Sequence, residues 1–244
     1  MDTFLLGKTG FYCMSNIVAV IPALEDENGL PNRNLREIKG ISLVEIAIRQ
    51  ATNSSLITET VLNSESDAIL SKAEGYDVMT YSRPDRFAKK DQFMEMDRLL
   101  MWQIDQLEND GHDVDILVLL YPICPLRTIE KIDQTIQRVR GEEYNSALTL
   151  FEDTRYLWEK SNGEVVPTNY DPQKRAPSQL EDWNQWVENK AVYAVEKETL
   201  FQTGSRVGGK TGYIEMPQYR SFDIRSEVEF ELVRFISEVD GVSW

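Results

Sequence analysis

The residues best suited to chemistry lie in the stretch Asn16–Leu35, which reads NIVAVIPALEDENGLPNRNL. A short apolar run is followed by three consecutive carboxylates, Glu25, Asp26 and Glu27. The turn-rich segment after them holds Gly29, Pro31, Asn32, Arg33 and Asn34. Successive backbone N–H groups in a turn around Gly29 could cradle a phosphate group. This stretch is therefore the first place to look for a ligand site.

The element that must position this loop is the apolar run Ile17–Pro22. It is too short for a typical helix and rich in β-branched residues, so it is predicted to be a fully buried strand of a parallel sheet. The turn-rich segment leaves the carboxyl end of that strand. Ligands of open α/β sheets bind at this end, which places the predicted site there.

Composition limits the function classes. The chain has 244 residues and 41% hydrophobic content, enough for one large domain or for a domain with a small appendage. Its formal net charge of −15 argues against a nucleic-acid or anionic-membrane partner, because like charges repel. Small anionic ligands are not excluded, since they need only a local basic pocket. Residues 16–244 are predicted to form a single domain, preceded by an N-terminal extension over 1–15.

The number and spacing of cysteine and histidine residues argue against a His/Cys metal cluster and against a catalytic cysteine. Cys13 and Cys124 lie far apart and His112 is the single histidine, so a His/Cys metal cluster is not expected. A catalytic cysteine is not indicated either, because no base partner is evident. A reduced, cytoplasmic compartment fits best. The sequence has no apolar run of membrane-spanning length and no charge pattern of a signal peptide.

Strand-like and helix-like segments alternate along most of the chain. Ser42 with Glu45 and Ser226 with Glu229 form capping boxes that predict two helices, running to about Ala51 and Glu238. A helix over Gln92–Leu107 is expected to pack on the sheet through Phe93, Met96, Leu100, Ile104 and Leu107. Another helix, starting near Ile129, is predicted to end in a left-handed cap at Gly141.

The remaining predicted elements complete the alternation. They are a short helix at Asp67–Ala73 and strands at Thr60–Leu62, Asp77–Thr80, Asp115–Leu120, Ser146–Phe151, Ala191–Val195 and Gly212–Glu215. Strands that alternate with helices predict right-handed βαβ crossovers and a mostly parallel, doubly wound α/β sheet. The alternation stops over residues 152–187, which are polar and hold Trp158, Trp183 and Trp186. This stretch is too long for an ordinary connection and is predicted to be a lid, a small subdomain or an oligomer arm.

Several motifs in a fixed order give the chain a family resemblance. The first strand is followed by GLPNRNL, LLYPICPLRT, ENKAVY, TGSRVGGK and SFDIRSEVEFEL, within about residues 16–238. In this order they resemble the motifs of the cytidylyltransferases that make CMP-sialic acid, with CMP-Kdo synthetases as more distant relatives. Each motif alone is a short turn pattern with a high false-positive rate, so their order is the stronger signal.

The resemblance implies a fold, an assembly and a reaction. The fold is a Rossmann-like nucleotidyltransferase fold, a mostly parallel sheet flanked by helices, with a small dimerisation segment inserted at about 152–187. In the reaction, the anomeric hydroxyl of an acidic 2-keto-3-deoxy sugar attacks the α-phosphorus of CTP and expels pyrophosphate, with Mg²⁺ or Mn²⁺ assisting. Nucleotidyl transfer depends mainly on positioning and charge neutralisation, so its site needs cations, backbone N–H groups and metal-holding carboxylates.

The first loop departs from the family pattern A-R-x-x-S-K-G-x-P-x-K-N. Leu24 replaces the arginine, Glu27 the serine and Asn28 the first lysine, whereas Arg33 keeps the charge of the second lysine. Three carboxylates facing a triphosphate would each cost on the order of a kcal/mol or more unless a metal intervened. Three readings stay open: a solvated acidic loop on a protein that no longer binds CTP this way, a metal-binding group, or a loop that points elsewhere.

Later motifs keep some family residues and change others. In SFDIRSE, Asp223 is kept, but the second metal-reaching aspartate of the family is Arg225. In LLYPICPLRT, Tyr121 replaces the substrate-facing glutamine, and Ile123-Cys124 replaces a Thr-Ser pair. Asn189 matches the asparagine of N-G-A-I-Y, where Lys190 replaces the glycine.

The resemblance assigns roles residue by residue. The predicted catalytic residues are Arg33 and Asp223, and Asp223 is also the predicted metal ligand. The predicted nucleotide-binding residues are Ala23, Leu24, Gly29, Arg33, Asn34 and Arg83. The predicted substrate-binding residues are Tyr121, Asn189 and, by a loose match, Arg175. Structural roles compete with these: Arg83 and Arg127 could pair with carboxylates or cap carbonyls, and Tyr121 could be a packed aromatic.

The predicted function is transfer of CMP from CTP to a sialic, legionaminic or pseudaminic type of acid by a homodimeric enzyme. One alternative is a catalytically degenerate homologue that acts as a binding or regulatory subunit. Another is nucleotidyl transfer to a different acceptor, such as a phosphonate. Loss of cations from the first loop favours weak CTP binding, whereas Arg33, Arg83 and Asp223 favour residual, metal-dependent binding.

Overall fold

The computed structural model describes residues 15–25, 30–88, 95–174, 184–242 and 244. The strands are β1 Ile17–Pro22, β2 Glu37–Ile38, β3 Ile41–Ser42, β4 Glu59–Ser64, β5 Met79–Ser82, β6 Ile116–Leu119, β7 Ser146–Glu152, β8 Trp158–Ser161, β9 Glu164–Pro167, β10 Trp186–Glu196 and β11 Thr211–Glu215. The helices are α1 Leu43–Thr52, α2 Asp67–Leu70, α3 Asp85–Ala88, α4 Glu95–Asn109, α5 Ile129–Arg140, α6 Lys197–Thr203 and α7 Glu227–Val239.

Seven of the described strands form one sheet, in the order β11-β7-β10-β6-β1-β4-β5. Neighbours pair in parallel except β10, which runs antiparallel to β6 and β7. The predicted mostly parallel α/β sheet is therefore confirmed. Because β10 runs the other way, its first residues arrive at the edge where β1, β4 and β6 end. Tyr193 pairs with Leu119, the last residue of β6, so residues 189 and 190 lie beyond that strand's carboxyl end.

The core lies on both faces of this sheet. Along β1, Ile17, Ala19 and Ile21 belong to a cluster with residues of α1 and α5. The intervening Val18 and Val20 belong to a second cluster, with residues of α4. Every residue of β1 is buried, as predicted for a strand covered by helices on both sides. The strand is thereby a rigid base for the loop that follows it.

The helix predictions are largely confirmed. Ser42 forms a capping box with Glu45 at the start of α1, and the Ser226 hydroxyl accepts a hydrogen bond from the Glu229 backbone N–H at the start of α7. In α4, Leu100, Ile104 and Leu107 are buried and Met96 packs against them, whereas Phe93 lies outside the described residues. The predicted left-handed cap is wrong by one residue: Gly141 has φ −75°, and Glu142 has φ 59°.

The stretch 152–187 contains a β-hairpin. β8 and β9 pair antiparallel, separate from the large sheet, and Trp158, Val165 and Val166 on them are exposed. Pro172–Lys174 form a short 3-10 turn before residues 175–183, which lie outside the described ranges. Among the helices that the structure describes, every one is too short or too polar to cross a membrane.

Candidate active site

A cavity of about 100 Å³ opens where the parallel strands end. Its lining residues are Pro22, Leu24, Arg33, Asn34, Arg83, Met96, Tyr121, Pro122 and Ile123. It therefore brings together Leu24, Arg33, Asn34 and Arg83, predicted for the nucleotide, with Tyr121, predicted for the substrate. This volume holds only a few water molecules, so the cavity could take one part of a nucleotide rather than the whole.

Arg33 joins the first loop to the segment before α7. It lies in the 3-10 turn Arg33–Leu35, after Asn32 in a left-handed conformation with φ 53°. Its Nη1 donates a hydrogen bond to the Ile224 carbonyl at 2.9 Å. Burial lowers the pKa of Arg33, and the nearby Asp223 carboxylate acts in the opposite direction. Arg33 thus holds a positive charge between the two segments that carry the predicted catalytic residues.

The loop after β1 is fixed by hydrogen bonds to its backbone. The Asn34 amide donates to the Leu24 carbonyl at 2.8 Å, and the Ala23 N–H donates to the Asn63 carbonyl at 3.0 Å. Both Ala23 and Asn34 are buried. Glu25 is exposed, and its N–H donates to the Glu65 carboxylate at 2.9 Å. Gly29, with Asp26, Glu27 and Asn28, lies outside the described residues, and so does Arg175.

Arg83 is held by uncharged partners. Its Nε donates to Asn63 Oδ1 at 2.7 Å and its Nη2 to the Asn63 carbonyl at 3.2 Å. The Asn63 amide in turn donates to Gln103 Oε1 at 2.9 Å, which links this group to α4. Burial lowers the pKa of Arg83 to about 10, while Glu65 and Tyr121 act weakly against that shift. No carboxylate among the described residues bonds to Arg83, which lines the cavity.

Arg127 is buried and donates hydrogen bonds to backbone carbonyls of the loop after β6 and of β10. Its Nη1 donates to the carbonyls of Tyr121 at 2.6 Å, Cys124 at 3.2 Å and Ala191 at 3.3 Å. Its Nε and Nη2 have no hydrogen-bond partner among the described residues. Complete burial lowers its pKa to about 10. These contacts give Arg127 a positioning role, as the structural alternative for this residue proposed.

Tyr121 packs against a second aromatic ring, and Cys124 is buried in the core. The Tyr121 ring packs edge-on against Tyr193, with ring centroids 6.4 Å apart, and burial raises its pKa to about 12. Burial also raises the pKa of the Cys124 thiol to about 12, although Arg127 acts against the shift. A thiol with such a pKa is not ionised at neutral pH and is a poor nucleophile. The expectation that Cys124 is not catalytic stays a prediction.

Both polar atoms of the Asn189 side chain contact other residues of the protein. Its Oδ1 accepts hydrogen bonds from Thr149 Oγ1 at 2.6 Å and from the Ala191 N–H at 3.1 Å. Its Nδ2 donates to Ser221 Oγ at 3.0 Å and contacts Met216 Sδ at 3.4 Å. The side chain therefore joins β10 to β7 and to the segment that carries Asp223. Its predicted contact with substrate stays a prediction.

Asp223 lies between two cations. Its Oδ2 accepts hydrogen bonds from Arg225 Nε at 2.8 Å and Nη2 at 2.5 Å, and lies 3.3 Å from Lys190 Nζ. Burial acts to raise the pKa of Asp223, but the Arg225 hydrogen bonds and the charges of Lys190 and Arg225 outweigh it and lower the pKa. We call Lys190, Asp223 and Arg225 the rim cluster, because all three side chains reach solvent at the edge of the site.

The rim cluster does not fit a divalent metal. Two unit charges about 4 Å apart interact by about 4 kcal/mol at an effective dielectric of 20, before solvent screening. A metal on Asp223 would be repelled by both cations that already neutralise the carboxylate. Across the described ranges, no group of three or more His, Cys, Asp or Glu side chains could hold a metal ion. The predicted role of Asp223 as metal ligand therefore has no support from its surroundings.

Sequence reasoning missed Asn63, Gln103 and Arg206. Arg206 lies over the Tyr193 ring, 5.0 Å from its centroid, and its Nη1 is 2.8 Å from the Asp97 carboxylate. It thereby holds the aromatic pair of Tyr121 and Tyr193 against α4. The motif TGSRVGGK contained Arg206, but nothing in that motif indicated a partner on α4.

Comparisons with known proteins find relatives of modest sequence identity along most of the chain. No model of a known protein family matches the sequence. The chain is 24% identical over 230 residues to post-translational flagellin modification protein B of Campylobacter coli, covering 91% of this chain and 95% of that protein. It is 24% identical over 237 residues to CMP-N,N'-diacetyllegionaminic acid synthase of Campylobacter jejuni, covering 94% and 98%. It is 22% identical over 220 residues to N-acylneuraminate cytidylyltransferase A of Danio rerio, covering 88% of this chain and 49% of that protein.

Solved structures share the fold. CMP:2-keto-3-deoxy-manno-octonic acid synthetase complexed with CTP superposes with a TM-score of 0.66 at 13% identity, covering 93% of this chain and 100% of that chain. 4-Diphosphocytidyl-2C-methyl-D-erythritol synthase superposes with a TM-score of 0.64 at 12% identity, covering 91% and 99%. At these identities the likeness shows the fold alone. The predicted Rossmann-like nucleotidyltransferase fold is confirmed.

Proposed function

We propose that this chain, a divergent relative of the CMP-sialic acid synthetases, transfers CMP from CTP to an acidic 2-keto-3-deoxy sugar. The sugar hydroxyl oxygen bonds to the α-phosphorus of CTP as the bond from that phosphorus to pyrophosphate breaks. The electron pair leaves with pyrophosphate, and the hydroxyl proton is released. The proposed acceptors are nonulosonic acids of the sialic, legionaminic or pseudaminic type.

One observation carries this proposal: Arg33 and Arg83 both line the cavity at the carboxyl ends of the strands. The chain as a whole carries a net charge of −15, so two buried arginines at one cavity are a local reversal of its charge. Fixed cations in a partly dehydrated site stabilise a polyphosphate and the charge that develops on pyrophosphate. Nucleotide phosphates are the part of CTP that matches this arrangement.

The other predicted residues complete the proposed site. The backbone of Ala23 and Leu24 and the amides around Gly29 would face the nucleotide, with Asn34 holding the Leu24 carbonyl in place. Tyr121, Asn189 and Arg175 belong to the proposed acceptor side. Cytidylyltransferases generally use a divalent metal, and Mg²⁺ or Mn²⁺ is the cofactor included in the proposal. No role in the chemical step is given to a metal on Asp223, because its carboxylate is held by Lys190 and Arg225.

The test is pyrophosphate release from CTP, with Mg²⁺ or Mn²⁺, across a panel of nonulosonic acids and Kdo. Sugar-dependent release that falls at least about tenfold in Arg33→Ala and in Arg83→Ala supports the proposal. Arg234→Ala is the matched control, because Arg234 is an exposed arginine on α7 that pairs with Glu231 and Glu238. Unchanged turnover in both Arg33→Ala and Asp223→Ala would contradict the assigned site.

A second candidate function is favoured by the neutralised Asp223. A homologue without chemistry would keep the fold and a nucleotide or sugar site and act as a binding or regulatory subunit. Folded protein that shifts its melting temperature with CTP but releases no pyrophosphate with any acceptor would favour this function. Sugar-dependent turnover would exclude it.

The proposal includes a homodimer formed through the inserted hairpin. Trp158, Val165 and Val166 on β8 and β9 are exposed apolar side chains in an otherwise polar stretch. We expect Val165→Lys with Val166→Lys to yield monomers in light scattering. Phe235→Lys, at another exposed apolar residue on α7, is the control and should leave the mass unchanged. A wild-type monomer would contradict the proposed assembly.

A further inference from the structure

The rim cluster gathers more positive than negative charge. Lys190 Nζ and the Arg225 guanidinium both contact Asp223 Oδ2, at 3.3 Å and at 2.5 to 2.8 Å. Arg33 lies next to this group, since it bonds to the Ile224 carbonyl, and Asp223 and Arg225 both act on its pKa. With Glu229, which accepts a hydrogen bond from the Arg225 backbone N–H, the described residues joined by these contacts are three cations and two carboxylates.

Lys190 is held in place by backbone geometry. The pairing of β10 with β7 is irregular between Glu188 and Tyr193, and Lys190 within this irregularity has φ 60°. That left-handed conformation suits glycine better than lysine. The side chain of its neighbour Asn189 is hydrogen-bonded to Thr149 and Ser221, and these bonds fix the backbone conformation at this point. The fold therefore keeps an ammonium group on Asp223 at a backbone position unfavourable to lysine.

Both cations are also accessible to solvent. The Lys190 side chain is 39% exposed and that of Arg225 56% exposed, whereas Asp223 is 22% exposed. Asp223 thus faces inward, and the two cations form its outer surface. An incoming polyphosphate would meet the cations before the carboxylate, and an ammonium and a guanidinium both donate hydrogen bonds to phosphate oxygens.

We propose that Lys190 and Arg225 replace a divalent cation at Asp223, so that triphosphate binding at this carboxylate needs no metal. The inference rests on the proposed CTP site. It assigns the positive charge at Asp223 to two side chains and not to a metal ion. The two side chains neutralise Asp223 and present fixed positive charge next to Arg33. The chain would then bind CTP nearly as well after chelation as in the presence of Mg²⁺.

The experiment compares wild type with Lys190→Gly/Arg225→Asp, which removes both cations and places a second carboxylate beside Asp223. CTP binding is measured by calorimetry in EDTA and in Mg²⁺, and Mn²⁺ binding by electron paramagnetic resonance without nucleotide. For wild type we expect a CTP Kd that changes less than about threefold on chelation. For the double variant we expect at least about tenfold weaker binding in EDTA, recovery with metal and a new Mn²⁺ site.

Matched controls separate the cluster from general effects. Lys39→Gly removes another lysine with positive φ, 52°, whose ammonium bonds to the Ser237 and Val242 carbonyls instead. Arg234→Asp makes the same charge change on the exposed face of α7. Both should keep the wild-type response to metal, with circular dichroism confirming that each variant is folded.

Two results would overturn the inference, and each is distinct from failure of the proposed function. A wild-type CTP affinity that falls tenfold or more on chelation would leave the cytidylyltransferase in place but show that its site needs metal. Mn²⁺ binding that is equally tight in wild type and in the double variant would show that the two cations do not displace it. If CTP does not bind under any condition, the proposed function fails, and the Mn²⁺ comparison still decides whether the cations occupy the metal position.

Discussion

Two groups of cations lie at the same end of the sheet and differ in what neutralises them. The floor arginines, Arg83 and Arg127, are buried and bond to amide and carbonyl oxygens. The cations of the rim cluster, Lys190 and Arg225, are exposed and share one carboxylate. Neutral acceptors orient a guanidinium without cancelling its charge, so the floor keeps its positive potential. At the rim, Asp223 offsets one of the two positive charges. The rim therefore keeps a net positive charge and stays accessible to solvent.

The two groups of cations also differ in the free-energy cost of removing them from water. Taking a guanidinium out of water is costly, which is why the pKa values of Arg83 and Arg127 are lowered to about 10. The rim cations lose little hydration, and an exposed ion pair is worth only about 0 to 1 kcal/mol. We therefore expect the largest change in the free energy of unfolding at the floor and a smaller change at the rim.

The largest effect is expected at Arg127. Arg127→Ala leaves the Tyr121, Cys124 and Ala191 carbonyls without their donor and opens a cavity under the loop after β6. We expect a loss of about 3 kcal/mol in the free energy of unfolding, measured by urea denaturation. A loss below about 1 kcal/mol would show that this floor arginine is not structural.

Arg83 should affect binding more than folding. Arg83→Ala removes a charge that Asn63 holds in place, and we expect CTP affinity to fall about 10- to 100-fold in calorimetry. Asn63→Ala should give a smaller loss, because it frees Arg83 without removing its charge. If Asn63→Ala equals or exceeds Arg83→Ala, orientation rather than charge is the main contribution of the floor.

Asp223 should give a smaller, pH-dependent effect. Asp223→Asn leaves Lys190 and Arg225 facing each other, and we expect it to lower the free energy of unfolding by about 1 kcal/mol at pH 7. The folded-state pKa of Asp223 is lowered, so its stabilisation is complete above the unfolded value near 3.9 and disappears as the pH falls through the folded value. Urea midpoints of wild type and variant should therefore converge below about pH 4. A constant difference at all pH values would contradict the ion-pair origin.

The smallest effect is expected at Arg234. Its pairs with Glu231 and Glu238 lie on the exposed face of α7. Arg234→Ala should change the free energy of unfolding by less than about 0.5 kcal/mol and leave CTP binding unchanged. A larger change in CTP binding would show that overall charge, rather than position, governs the site.

Much of the fold could be predicted because local patterns determine it. The run Asp115–Leu120 predicted β6 at Ile116–Leu119, and the capping box at Ser42 predicted the start of α1. The direction of β10 could not be predicted, because a strand buried on both faces has the same apolar pattern in either direction. The cap at Gly141 was misplaced because a glycine favours the left-handed conformation without requiring it.

The sequence could name residues of the candidate site but not the side chains that they contact. Arg33, Asn34, Arg83 and Tyr121 line one cavity, and their roles in binding stay predictions. The contact of Asn63 with Arg83 spans 20 residues and that of Lys190 with Asp223 spans 33, and no local pattern specifies such pairs. The role of Asp223 as metal ligand was predicted from the family motif, and the sequence could not show that Lys190 and Arg225 both contact its carboxylate.

The bond between Arg33 and the Ile224 carbonyl connects residues 191 positions apart, and Lys39 reaches Ser237 over 198. Contacts at such separation form late in folding, because chain entropy is lost before the contact is gained. During synthesis, the segments that carry Arg33 and Arg83 leave the ribosome long before residue 224 does. A nascent chain therefore cannot close this end of the nucleotide site until nearly all of the described chain has emerged, and truncation before Ile224 would leave Arg33 without that acceptor.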